Sequence, residues 1–67
     1  MFGKCDFIIS NMDMAIDMAR NDELKIAGLI MAHAIELYDS CNLLERILIR
    51  NKVNEDIKIL RDILNNN

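Results

Sequence analysis

The chain of 67 residues contains no proline and no tryptophan, only two glycines and two cysteines, and a single histidine. Without proline, no backbone ring interrupts a helix, and the abundant Ala, Leu, Met, Ile, Glu and Lys favour helix throughout. The chain also has no Gly-rich phosphate loop and no nucleophile or zinc-protease motif. The sequence therefore predicts an all-α protein that is not an enzyme and that holds no cofactor and no metal within one chain.

The two cysteines, Cys5 and Cys41, form neither a CxxC nor a CxxH pattern. Two thiols do not make a disulfide framework, so free thiols in the cytoplasm are favoured over a Cys5–Cys41 bridge. The first residues lack the basic segment and apolar run of a secretory signal, and the longest uncharged apolar-rich run, Ile26–Ile35, is too short for a bilayer span. The 11 isoleucines and 8 asparagines are typical of A/T-rich codons, as in a low-GC bacterium or a phage.

The richest feature is the segment Leu24–Ile49, in which 17 of 26 residues are apolar. A chain of this length buries only about 60% of its unfolded surface. Because a lone hairpin cannot cover so much apolar surface, we expect copies of the chain to form a homo-oligomeric helical bundle, a dimer or larger. The formal net charge of −3 argues weakly against unspecific binding to nucleic acid, and we expect no membrane contact.

Apolar residues three and four positions apart predict a helical hairpin. The first helix runs from about Asp6 to Arg20, with Asp6 or Ser10 as its N-cap. The polar run Arg20–Glu23 predicts the turn, with Asn21 or Asp22 as the N-cap of the second helix.

We expect the second helix to run unbroken to about Arg50, because its polar stripe keeps its phase and no Gly or Pro marks a break. A break at 39–42 is the alternative, since Asn42 and Glu45 fit a capping box. After Asn51–Asn54 the apolar face turns by more than a quarter of the circumference. We therefore predict a short third helix over 55–64 that docks on the hairpin. Residues 1–64 then form one domain, and Asn65–Asn67 form a frayed tail.

The pair Gly28-x-x-x-Ala32 would let another backbone approach closely at the margin of the polar stripe. Tyr38 lies on the face of Met31 and suits an anchor. Our candidate oligomer or partner contacts are Gly28, Met31, Ala32, Ile35 and Tyr38 on the second helix, and Leu44, Leu48, Ile57 and Leu60 where the third helix docks. On this basis Leu44→Asp is expected to unfold or aggregate the chain.

These features favour a small cytoplasmic regulatory or adaptor protein that binds another protein, of the inhibitor or antirepressor type. An RNA-binding dimer is a second candidate, using Arg46, Arg50, Lys52, Lys58 and Arg61, although the interleaved acids favour a salt-bridged solvated face. A small-molecule or metal-binding bundle is a third, with His33 and Glu36 from two chains. One such pair supplies only two of the three or four ligands that a metal needs.

The nine residues His33–Cys41 resemble part of the second helix of the Rop family, plasmid-encoded RNA-binding proteins that form four-helix dimers. The resemblance implies an antiparallel hairpin that dimerises, with its turn near Asn21. The RNA-contacting residues of that family lie largely on its first helix and have no counterpart here, and this chain carries an additional C-terminal segment. The resemblance therefore adds to the expectation of an oligomeric hairpin and brings no function with it.

Overall fold

The computed structural model describes residues 3–66, and three helices account for almost all of them. Helix α1 spans Gly3–Arg20, α2 spans Leu24–Asp39 and α3 spans Leu43–Asn65. The described residues contain no strand, so the all-α prediction is confirmed. None of these three helices has both the length and the apolar composition to cross a bilayer.

Helix α1 is the central element of the fold. It packs along α2 and along α3, whereas α2 and α3 touch each other only sparsely. One stripe of α1 is buried, with residues recurring every third or fourth position, as expected for a helix that faces a core. The buried members of this stripe are Cys5, Ile8, Met12, Ala15, Ile16 and Ala19.

The first connection is a tight turn in the position that the sequence predicts. The Glu23 N–H donates to the Met18 carbonyl at 2.8 Å and the Asp22 N–H donates to the Ala19 carbonyl at 3.0 Å, the two bonds of a Schellman motif. Asp22 holds the left-handed position with φ of 65°. Because Asp22 closes α1 in this way, the predicted N-cap is wrong. Glu23 occupies that position and makes no side-chain cap bond.

The second connection corrects the expected unbroken helix. Helix α2 ends at Asp39, and Asn42 starts α3 with a full capping box. The Glu45 N–H donates to Asn42 Oδ1 and the Asn42 N–H donates to Glu45 Oε1, each at 2.9 Å. The alternative that rests on the capping box is therefore confirmed. The turn also contacts α1, since Lys4 Nζ donates to the Ser40 carbonyl at 3.5 Å.

Helix α3 is continuous over 23 residues, so the predicted break at Asn51–Asn54 and the short third helix are both wrong. The two asparagines of the predicted break, Asn51 and Asn54, are exposed, while Val53 between them is buried. The helix runs parallel to α1. Cys5 Sγ lies 3.8 Å from the Glu45 carbonyl near one end, and Lys52 reaches Asp13 further along. Asn66 is the C-cap, and the last residue lies outside the described part of the chain.

Candidate interaction surface

The first half of α3 presents four aliphatic side chains to solvent. Leu43 is 63% exposed, Leu44 60%, Ile47 53% and Leu48 52%. The buried residues of α3 are Val53, Asp56 and Leu60. At 100° per residue, the four exposed positions project to the side opposite these three. We call Leu43, Leu44, Ile47 and Leu48 the outer face.

Beyond the outer face, the solvent side of α3 becomes polar. Asn51, Asn54 and Lys58 are exposed on that side, whereas the apolar Val53 and Leu60 of this half are buried. One straight helix therefore carries two apolar faces, an outward one in its first half and an inward one in its second. This is the physical origin of the phase change that the sequence suggested was a break.

The other exposed large apolar residues are distributed over all three helices. Scattered surface hydrophobics are normal in folded proteins, whereas a concentrated patch is informative. Of nine such residues in the described chain, the outer face holds four within six positions. The remaining five are Phe7 and Met14 on α1, Ile26 and Leu29 on α2, and Leu64 near the end of α3.

The candidate contacts predicted on α2 do not form one exposed surface. Met31 is buried in the core of its own chain, and Ile35 and Tyr38 are half-buried against that core. The Tyr38 hydroxyl donates to the Arg46 carbonyl at 3.4 Å. Gly28 and Ala32 are exposed, and a Cβ built on Gly28 meets nothing within 4 Å. Within residues 3–66, no other element approaches Gly28 closely.

The candidate contacts predicted on α3 separate into two groups. Leu60 is buried in the core and Ile57 packs half-buried against it. Leu44 and Leu48 belong to the outer face and are not among the residues that pack against the core. Sequence reasoning missed Leu43 and Ile47. Treating Leu43–Leu48 as the start of a separate helix, with its own apolar side, would have identified both residues.

The five basic residues of α3 do not behave as the expected salt-bridged face. Within residues 3–66, Lys52 forms ion pairs, but Arg46, Arg50, Lys58 and Arg61 form none. Arg46 is half-buried and its Nε has no hydrogen-bond partner. Arg50, Lys58 and Arg61 are exposed, so their charges are open to solvent.

A charged cluster lies where α1 and α3 meet. Asp56 is completely buried, and it is the only buried polar side chain of the described residues. Lys52 Nζ lies 3.1 Å from Asp56 Oδ1 and 3.8 Å from Asp13 Oδ1. Neither carboxylate oxygen of Asp56 has a partner in full hydrogen-bond geometry. The cluster lines a cleft of about 200 Å³ with Ile16, Asp17, Arg20 and Ile59.

Burial disfavours the ionised form of Asp56. Loss of water raises the pKa of Asp56, and the neighbouring Asp13 raises it further, while Lys52 acts in the opposite direction. The close contact with the Asp56 carboxylate raises the pKa of Lys52, because a nearby negative charge favours the ammonium form. The cluster is therefore a strained part of the α1–α3 interface rather than a simple stabilising ion pair.

The remaining candidate residues form no site within one copy of residues 3–66. His33 and Glu36 are both exposed, and within residues 3–66 no three His, Cys, Asp or Glu side chains converge on a metal position. Cys5 and Cys41 are free and buried. Burial raises the pKa of the Cys5 thiol, with Glu45 as the next contributor, which reduces its reactivity.

Comparison with protein-family models gives no match, and searches of curated proteins and of solved structures give none either. The short resemblance to the Rop family thus stands alone. The outer face and the charged cluster are the features on which a function can be argued.

Proposed function

We propose that this chain is a small regulatory or adaptor protein that acts by binding another protein, as a homo-oligomer whose copies associate through the outer face of α3. The observation that carries this proposal is the concentration of four exposed aliphatic side chains on one side of Leu43–Leu48. Patches of this kind mark interaction surfaces in folded proteins. An inhibitor or antirepressor role requires only such a binding surface, and the described residues contain no cluster that could hold a metal ion.

The size of the outer face predicts a weak dimer. Burying the exposed half of one Leu or Ile contributes about 1 kcal/mol. Four such residues on each of two copies therefore contribute roughly 8 kcal/mol, which falls within the ~4–15 kcal/mol cost of association. We expect a dimer whose population rises with protein concentration rather than one that is permanent.

Charge favours an antiparallel arrangement of the two outer faces. In a parallel pair, the exposed Arg50, Lys58 and Arg61 of one copy would lie beside the same residues of the other and repel them. In an antiparallel pair centred on the outer face, these residues point away from each other. Arg50 of each copy then approaches the α2–α3 turn of the other, where α2 ends at the exposed Asp39.

The test is the molar mass in solution over a wide concentration range, by light scattering or sedimentation. The unaltered chain should shift from monomer toward dimer as concentration rises, and Leu48→Asp should stay helical and monomeric. Leu29→Asp is the matched control, because Leu29 is 66% exposed but lies on α2. A monomer at every concentration, or equal loss of dimer in the control, would overturn the proposal. Leu44→Asp should likewise stay folded, contrary to the expectation from sequence.

The adaptor role is tested separately by affinity purification from the native host with the unaltered chain and with Leu48→Asp as bait. A regulatory partner should be recovered stoichiometrically with at least one of the two. Recovery of nothing but the chain itself, in repeated experiments, would contradict the adaptor role and leave a self-associating protein.

One observation supports the RNA-binding alternative. Arg50, Lys58 and Arg61 are exposed and unpaired within the described residues, and they follow one side of α3 beyond the outer face. Such a stripe would bind phosphates with a strong dependence on salt. A labelled RNA hairpin should then shift at low salt and lose binding in Arg50→Gln and Lys58→Gln, but not in the control Lys25→Gln on α2. If the RNA hairpin does not shift at low salt, the RNA-binding alternative is excluded.

A further inference from the structure

We propose that two copies associate by exchanging α3: α2 and α3 straighten into one helix, and α3 of each copy docks on α1 of the other. The inference rests on the proposed function, because it names how the copies join. Four independent features of the fold support it.

The first feature is that α3 depends on α1 for its docking. Helix α3 packs along α1 and touches α2 only sparsely. The α1 of a second copy offers the same surface, so an exchanged α3 would regain nearly every contact it gives up. Exchange of identical elements is a low-cost route to dimers for this reason.

The second feature is the hinge, residues 40–42, which contains no Gly or Pro. Ser40 is already in the right-handed helical region. The Cys41 N–H bonds to the Tyr38 carbonyl, as in a tight helical turn. Asn42 has φ of −72°, which suits a helix, and its ψ of 171° holds the break. Rotation about the Asn42 ψ angle is therefore part of any straightening of the chain, and it costs about 1 kcal/mol for the lost Asn42 cap.

The third feature is the phase of the apolar residues across the hinge. In one continuous helix, Leu37, Cys41, Leu44 and Leu48 recur at every third or fourth position and form a single stripe. In the present fold Cys41 is buried and Leu37 half-buried, but Leu44 and Leu48 are exposed. When the hinge straightens, all four side chains lie on the same side of one helix. Two such helices crossing at the hinge would cover the exposed leucines of both copies.

The fourth feature is the buried carboxylate of Asp56. Its charge is removed from water and its oxygens lack hydrogen bonds, which weakens the docking of α3 on α1. When α3 leaves α1, Asp56 regains its hydration and keeps Lys52 one turn away on the same helix. The charged cluster thus lowers the barrier to release of α3, which is the step that exchange requires.

The experiment uses a contact that the native chain already provides. Lys52 Nζ and Asp13 Oδ1 are 3.8 Å apart across the α1–α3 interface, close enough for a zero-length carbodiimide crosslink. Isotope-labelled and unlabelled chains are unfolded together, refolded and crosslinked, and the dimer fraction is digested for mass spectrometry. Exchange predicts Asp13–Lys52 peptide pairs that combine one labelled and one unlabelled partner. The monomer fraction should contain only unmixed pairs, in which both peptides are labelled or both are unlabelled.

Two hinge variants sharpen the result without altering the outer face. Asn42→Ala removes the cap and should raise the dimer fraction, while two glycines inserted after Asn42 should lengthen the hinge and favour the monomer. A dimer with only unmixed pairs overturns exchange but leaves the proposed homo-oligomer intact. The absence of any dimer fraction overturns both.

Discussion

In the first half of α3, Leu44 and Leu48 are 60% and 52% exposed, whereas in the second half Val53 and Leu60 are only 1% and 5% exposed. Both halves belong to one uninterrupted helix. Hydrogen bonding along the backbone holds the helix together regardless of which side is apolar, so a change in the direction of the apolar face is no sign of a helix end. Here it marks a second apolar surface, which is directed to solvent.

The largest expected difference between the two halves is in the free energy of unfolding. Leu60→Ala should lower it by about 2–5 kcal/mol, because the change leaves a cavity in the core. Leu48→Ala should lower it by less than about 0.5 kcal/mol in the monomer, because Leu48 contacts mainly water. Urea unfolding, at a protein concentration low enough to keep the chain monomeric, measures the free energy of unfolding of both variants. Equal effects would mean that the outer face contributes to the monomer core.

Removal of Lys52 should have the next largest effect. Lys52→Met leaves the buried charge of Asp56 without its cation, which we expect to lower the free energy of unfolding by about 3 kcal/mol. Asp56→Leu in the same chain should restore most of this loss, since an apolar residue needs no cation. Chemical denaturation of the two single variants and the double variant tests the pair. If the change in the double variant equals the sum of the changes in the two single variants, Lys52 and Asp56 are not energetically coupled.

The pH dependence should distinguish Asp56 from exposed carboxylates. Because the pKa of Asp56 is raised by burial, the folded state binds a proton more readily than the unfolded state. Stability from this group therefore rises as pH falls from neutral through the folded-state pKa, and levels off below the unfolded value. The groups around Asp56 are Asp13, Asp17 and Arg20 of α1 and Lys52 of α3.

Asp56→Asn isolates this contribution, since the amide cannot ionise. The variant should be more stable than the unaltered chain at neutral pH, and the difference should shrink as pH falls. Thermal unfolding of both proteins over a series of pH values provides the comparison. A difference that grows on acidification would contradict the assignment of a buried, reluctantly ionised carboxylate.

The smallest expected effect concerns the first turn, which unlike the hinge is closed by a left-handed residue. Asp22→Gly should raise the free energy of unfolding by up to about 1 kcal/mol, because glycine adopts positive φ without a steric penalty. Asn21→Gly is the control and should not stabilise the chain, because Asn21 is not the positive-φ residue of the turn. Equal stabilisation by both substitutions would argue that Asp22 is not the strained position.

Sequence reasoning predicted the hairpin and its turn well, because apolar periodicity and a polar run of four residues act locally. It misplaced the two later boundaries. At the first of them, the capping box of Asn42 and Glu45 competed with a continuous stripe, and the break is what allows α3 to pack along α1. The burial of Asp56 depends on α1 packing against α3, and no local pattern around residue 56 indicates it.

By itself the sequence determined that the chain is helical, that a hairpin opens it, and that more apolar surface is present than one copy hides. These properties follow from local propensity and from the spacing of residues along one helix. The tertiary structure decided where α2 ends, which side of α3 faces the core, and that a carboxylate lies buried in the interface. Those outcomes depend on which helix lies against which, and packing between distant segments is not encoded in any single stretch of the chain.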